Sequence, residues 1–332
     1  MNLMNRSTAA AVVFGVGAAS LAAHAAQPAA DAAAKFPERP IRIVIGFTPG
    51  GGPDITARFL AQKLAERWRQ QIVVDNRPGA GGTIAANIVA NANPDGYTLF
   101  SVSNAHAVAA AIYAKLPYDP LKDFAGITMT ASGPALLLVS PALGVKNTKD
   151  LIAVLKAKPG QYNFSSAGVG SGTHFAAELF KNMAGVDVVH VPFKGIPEAI
   201  TETMTGRVQF FLSPLASALN LAKEGKALAI GVTGAKRAPQ MPDLPTVAES
   251  GLPGYRYDFW YGMLAPGKTP RPLIDRLNRE INEIMRLDEV RNRWIALGVE
   301  LAPTTPQEFD KFIREDIATV TKLARAANVK AE

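Results

Sequence analysis

Short apolar runs in this chain repeatedly end in a glycine- or proline-rich turn that opens into a segment of helical spacing, and this alternation restricts the fold more than any other feature. Residues 41–47 (IRIVIGF) read as a buried strand stopped by Thr48-Pro49-Gly50. Ile55, Phe59, Leu60, Leu64 and Trp68 then recur at helical intervals. Residues 71–75 form a second strand closed by Asn76-Arg77-Pro78-Gly79. A helix over 83–92 ends at Asn93-Pro94-Asp95-Gly96, and 97–103 is a third strand. Such alternation predicts a parallel sheet covered by helices on both faces. The pattern restarts after Pro141, with helices over 151–156, 174–184, 198–205 and 215–223 between strands over 162–166, 187–193, 208–212 and 228–233. A proline-rich segment, 239–253, interrupts it before a strand at 257–264 and two long helices, the first carrying the stripe Leu273, Leu277, Ile281, Ile284 and Met285. Two such α/β units suit one enzyme or one clamshell. In a clamshell, 134–141 and 259–266 are the candidate crossings between lobes.

The chain has 332 residues, enough for two domains at roughly 150 residues each. Its 48% hydrophobic and 19% charged content describes a globular chain with a sizeable core. The absence of cysteine excludes disulfides, thiolate-held zinc, iron–sulfur clusters and thiol catalysis. A net charge of +7 is spread along the chain without basic blocks, so no nucleic-acid partner is implied, and a small anion suits the field as well. Residues 1–25 read as a secretory signal: Arg6, an uncharged apolar run over 9–23, then Ala23-His24-Ala25 with cleavage after Ala25. Removing that segment takes one Arg and no acid, so the charge becomes 7 − 1 = +6. The exported chain is expected to be soluble in the periplasm.

Chemistry is expected at the turns. Phe47-Thr48-Pro49-Gly50-Gly51-Gly52-Pro53-Asp54 joins a strand to a helix; its glycines let the backbone approach a ligand, and the helix start offers unpaired N–H groups to an anion. Asp54 serves there as a cap, a ligand contact or both. The dinucleotide and P-loop fingerprints are absent. Ser165-Ser166-Ala167-Gly168-Val169-Gly170-Ser171-Gly172-Thr173 makes a second such start, with hydroxyls added, and its spacing does not fit a nucleophile elbow. Gly79-Ala80-Gly81-Gly82 is a third glycine-rich start, either an anion site or a tight connection. His106, His174 and His190 form no metal-binding spacing and no triad, so neither a metal nor a catalytic residue is expected; Trp260 and Tyr261 read as core or cleft lining.

These landmarks together resemble the Bug (TctC-type) family of periplasmic solute receptors associated with tripartite tricarboxylate transporters. They are Pro49-Gly50-Gly51 with Asp54, Ala57 and Arg58; Asp75-Asn76-Arg77-Pro78-Gly79-Ala80-Gly81-Gly82; and Asp95-Gly96-Tyr97-Thr98-Leu99. Phe180-Lys181-Asn182-Met183-Ala184-Gly185, His190-Val191-Pro192-Phe193-Lys194-Gly195, Leu244-Pro245-Thr246, Glu249-Ser250-Gly251-Leu252-Pro253-Gly254-Tyr255, Trp260-Tyr261-Gly262 and Ala265-Pro266 follow in the family's order. The resemblance implies a two-lobed periplasmic-binding-protein (type II) clamshell, each lobe a mainly parallel sheet flanked by helices, joined by two crossing segments. Its lobes are 26–138 with 260–332, and 139–259. The ligand set it implies is Phe47, Thr48, Gly51, Gly52 and Asp54 from the first loop and Ser165, Ser166, Gly168, Gly170, Ser171 and Thr173 from the second, with Ser103, Asn104 and Ser213 beside them. Two departures stand out: Phe193 replaces a frequent Tyr, and Ser213-Pro214 replaces a common Asp-Asn, which favours a plain carboxylate over a cationic ligand.

The expected function is therefore a non-enzymatic, monomeric receptor that closes over a small organic acid and hands it to the membrane permease subunits of a tripartite transporter, without cofactor or metal. A sensor that docks on a membrane kinase would use the same clamshell. A periplasmic carboxylate-acting enzyme would need a base–nucleophile pair for which no motif is present.

Overall fold

The computed structural model describes residues 34–330, so the expected signal peptide lies outside the described residues. β1 (Ile41–Ile45) is buried at every position but Arg42, as its β-branched run requires. It leads into α1 (Gly52–Trp68), β2 (Ile72–Asn76), a 3₁₀ turn at Ala80–Gly82, α2 (Thr83–Ala90), β3 (Thr98–Ser103) and α3 (Ala105–Ile112). β1 pairs in parallel with both β2 and β3 (Ile43↔Val74, Ile43↔Leu99), the topology that strand–helix–strand units impose.

β4 (Phe124–Val139) then runs through the whole molecule. The second unit comprises α4 (Thr148–Ala157), β5 (Asn163–Ser166), α5 (Gly172–Ala184), β6 (Val189–Pro192), α6 (Ile196–Met204), β7 (Phe210–Pro214), α7 (Leu215–Lys223) and β8 (Leu228–Val232). The chain returns through β9 (Asp258–Pro266) and ends in α8 (Arg271–Met285), α9 (Asp288–Leu297), β10 (Glu300–Leu301) and α10 (Pro306–Ala326).

The strands form two half-sheets that share β4. One runs β2-β1-β3-β9-β4 with β10 on the far side; the other runs β6-β5-β7-β4 with β8. Residues 124–134 of β4 pair with β9, and Ala135–Val139 pair with β7. The fold is thus the expected α/β clamshell, with β4 as the first crossing. The second passage lies just ahead of the run expected for it, because β9 pairs only with β3 and β4 of the first half-sheet. Thr233 pins both strands of the waist: its hydroxyl accepts from Ala135 N–H at 2.7 Å and donates to the Tyr257 carbonyl.

The first lobe is filled by Leu60 and Leu64 of α1, Leu277 and Ile281 of α8 and Trp294 of α9, the second by Phe164, Phe180 and Phe210. The stripe read in the sequence of α8 is therefore the buried one. α10 starts from a capping box, with Thr305 accepting from Glu308 N–H and Glu308 reaching back to Thr305 N–H, and it packs across α3 and β4.

Candidate functional site

The β1–α1 turn is held from beneath by Asp54. Its carboxylate, 3% exposed, accepts from Gly50 N–H at 3.0 Å, Arg58 Nε at 3.0 Å and Asn76 Nδ2 at 2.9 Å, while Asn76 also donates to the Phe47 carbonyl. Its charge is compensated by Arg58 and its oxygens face the protein, which shapes the loop around them. Gly50 takes φ +90°, a conformation that favours glycine. Gly51, the residue at which a positive φ would explain the glycine, has an ordinary extended φ of −76° and caps α1 with no side chain. The tighter requirement falls on Gly52, where a Cβ would collide with the hydroxyl of Tyr261.

The β5–α5 turn is built from its own hydroxyls. Ser171 caps α5 by accepting from His174 N–H at 3.2 Å, and Thr173 Oγ1 accepts from Ala167 N–H at 2.9 Å and bonds Ser171 Oγ at 2.9 Å. Ser166 Oγ accepts from Gly168 N–H and lies 2.6 Å from His190 Nε2. Ser165 points away, to the Ala199 carbonyl and Thr203. Gly168 and Gly170 take φ +110° and +81°. Under the loop the rings of His174 and His190 stack at 4.2 Å. Burial pushes His174 down to about 4, helped by the charge of Lys181, and His190 down to about 3, helped by His174 and Lys181, so both rings are neutral near pH 7.

The two helix starts meet at a cavity between the lobes, lined among others by Phe47 and Pro53 from the first loop, Ser171 and Thr173 from the second, and Phe259 and Tyr261 from β9. No charged side chain lines it. The N–H groups of Gly52, Gly172 and Thr173 are the first of their helices, where no intrahelical acceptor exists, and among the described residues none is bonded to another group. With the dipoles of α1 and α5, they are donors of the neutral kind that suits an anion. The cavity measures about 20 Å³, room for one water.

Of the residues expected from the sequence, Phe47, Ser103, Asn104, Ser171 and Thr173 line this cavity. Gly52 adjoins it through Tyr261. Asn104 donates to the Tyr257 hydroxyl at 2.7 Å and fills the space a Cβ on Gly172 would need. Thr48 is pressed against Gly195 of the other lobe, its hydroxyl buried and unbonded; Gly51 faces Ile196. Asp54, Ser165 and Ser166 are bonded within the protein, and neither they nor Gly168 and Gly170 line the cavity. Ser213 is fully buried and bonded to the Pro214 carbonyl, and Pro214 takes the lining position. The third glycine turn meets the second-lobe loop: Gly81, at φ +62°, sits against Val169 and Gly170.

Pro53, Ile196 and Phe259 are lining residues that the sequence reading did not assign, and Tyr261, left open there between core and cleft lining, lines the cavity. Tyr261 belongs to the landmark Trp260-Tyr261-Gly262 and Ile196 directly follows the one that ends at Gly195, which is the signal that could have found them. Among the described residues no cluster of three His, Cys, Asp or Glu could hold a metal ion. A larger cavity, about 860 Å³, lies beside the waist near Lys236, Arg256, Arg291 and Trp294. None of the expected residues lines it, and its Arg256 is paired with Asp258 at 2.8 Å.

A family model described as "Tripartite tricarboxylate transporter family receptor" matches residues 56–329. The chain is 35% identical over 289 residues to "UPF0065 protein in tcbD-tcbE intergenic region" of Pseudomonas sp. (strain P51), covering 87% of this chain and 86% of that one. It is 32% identical to "Protein BugT" of Bordetella pertussis, covering 89% and 91%. Among solved structures it is similar to "R. palustris Rpa4515 with adipate" (TM-score 0.85, 34% identity, 88% and 98% covered). It is also similar to "MatC (Rpa3494) from Rhodopseudomonas palustris with bound malate" (TM-score 0.83, 32% identity, 87% and 99% covered).

Proposed function

The chain belongs to the tripartite tricarboxylate transporter receptor family, and from that premise we propose that it is an exported receptor which captures one small organic carboxylate between its lobes for a tripartite transporter. The observation that carries this reading is the convergence of two helix starts, with unbonded N–H groups at Gly52, Gly172 and Thr173, on one cavity without a charged side chain. A carboxylate leaves water at little cost only where donors surround its oxygens, and a cluster of main-chain amides supplies them without a counter-charge. Structures of two relatives carry adipate and malate. The hinge is assigned to the waist of β4 and Thr233, with residues 26–138 and 260–332 as one lobe and 139–259 as the other. Export by cleavage after Ala25 belongs to the same reading, and no helix among the described residues is long and apolar enough to cross a membrane.

A thermal-shift series with acetate, succinate, malate, adipate, citrate and benzoate tests it. At least one acid is expected to raise the melting temperature by several degrees, since a ligand at 100 times its Kd adds ~2.7 kcal/mol. Its amide is expected to have no effect, and chelator treatment to leave the shift intact. Failure of every acid, an amide that stabilises equally, or turnover of the acid by pure protein overturns the reading.

A further inference from the structure

We infer that the Tyr261 hydroxyl is the first lobe's side-chain donor to the ligand, paired with the N–H of Gly52, and that this pair makes the first lobe selective for a carboxylate over its amide. The inference deepens the carboxylate reading of the cleft and rests on it.

Tyr261 is on β9, opposite Ser103 of β3 and Ala131 of β4, and is 2% exposed. A phenol so deeply placed ordinarily finds a hydrogen-bond partner. Its two predecessors do: Tyr255 donates to the Ala176 carbonyl at 2.8 Å, and the Tyr257 hydroxyl accepts from Asn104 at 2.7 Å. The Tyr261 hydroxyl has no hydrogen bond to any described residue, and the residue lines the inter-lobe cavity. It lies so close to Gly52 that a Cβ there would collide with its oxygen, which explains why glycine occupies the first position of α1. Two donors therefore stand side by side with nothing to donate to: the first N–H of α1 and a phenol O–H.

The chemistry follows from the donor set. Burial pushes Tyr261 upward, away from ionisation, so the group keeps its proton at any pH the protein meets. Two adjacent donors match the two oxygens of one carboxylate. An amide turns its NH₂ toward one of them and leaves that donor facing another donor, a mismatch that rejects the analogue strongly. The ring itself fills the floor of the cleft beside Phe259 and Phe47, so removing only the hydroxyl leaves the packing untouched.

The test is Tyr261→Phe, titrated calorimetrically with whichever of acetate, succinate, malate, adipate, citrate or benzoate binds the wild type most tightly, and with the corresponding amide. Losing one hydrogen bond to a charged group is expected to weaken the acid by roughly ten- to a hundredfold and to narrow the acid–amide ratio by a similar factor. The melting temperature without ligand should stay the same, because the hydroxyl has no protein partner. Equal affinity in wild type and variant overturns the inference while leaving the carboxylate reading standing. In wild-type protein labelled at tyrosine Cζ, adding the same acid should move the Tyr261 resonance; a fixed resonance overturns the inference even if the variant fails to fold. If no acid in the series binds the wild type, the carboxylate reading itself fails, and the role of Tyr261 falls with it.

Discussion

Thr173 looks from the sequence like a ligand hydroxyl, yet its oxygen already accepts from Ala167 N–H and bonds Ser171 inside the loop. Thr173→Ala leaves a buried N–H without a partner, at a cost of about 1–3 kcal/mol. It is therefore expected to lower the urea midpoint as well as the affinity, whereas Tyr261→Phe lowers affinity alone. Parallel denaturation and titration of the two variants check this, and an unchanged midpoint for Thr173→Ala would overturn the assignment. Asp54 shows the same division: the residue was legible, its direction was not. A short polar residue at a helix start reads as cap and ligand contact together, and only the positions of Asn76 and Arg58, brought in from β2 and the next turn of α1, aim its carboxylate inward. Tyr261 is the converse case. β9 is buried on both faces, so the period-2 pattern that would separate cleft from core is missing from its sequence.

The elements themselves were largely readable where turns punctuate them. The helix expected over 151–156 extends to Thr148–Ala157 because Asn147 caps it, accepting from Asp150 N–H at 2.9 Å. α3 carried no readable stripe, since Ala105–Ala109 and Ile112 are all buried and the segment is apolar on every side. The first two-thirds of β4 were equally silent: 16 residues is far beyond an ordinary strand, and Gly126, Gly133 and Pro134 interrupt its apolar character. Contacts between elements also assign the glycine turn at residues 79–82. Gly81 of the first lobe abuts Val169 and Gly170 of the second, so Gly81→Ala puts a methyl 2.7 Å from the Gly170 carbonyl carbon. An alanine at φ +62° costs about 1–2 kcal/mol in itself. The larger effect is expected on closure. The variant should show a greater radius of gyration by small-angle scattering at saturating acid than the wild type does, with weaker binding. An identical radius and affinity would mean that the turn yields locally without holding the lobes apart.

At the scale of the whole molecule, three buried histidines set the acid limit. Burial holds His106 and His174 at about 4 and His190 at about 3, against about 6.5 in the unfolded chain. Each folded ring is neutral where its unfolded counterpart is protonated. Their contribution is thus complete above about pH 6.5 and is lost progressively as pH falls toward the folded values. Asp310 and Asp316, raised by burial, act in the opposite direction at lower pH and soften the final part of the decline. Stability is expected to fall by a few kcal/mol between about pH 7.5 and 5.5. Urea midpoints at those two values measure it, and equal midpoints would show that the rings titrate freely in the fold.

The cavity of about 20 Å³ has a further consequence, in time. On the proposed reading, an acid larger than a space for one water must wait for the lobes to part before it is captured between them. In stopped-flow mixing, followed by tryptophan emission, the observed rate should climb with acid concentration and then level off at the rate at which the lobes part. That ceiling belongs to the protein, so chemically different acids should share it even when their affinities differ widely, the difference residing in how long each is retained. A rate that keeps rising linearly, with a slope particular to each acid, would mean that entry needs no such opening.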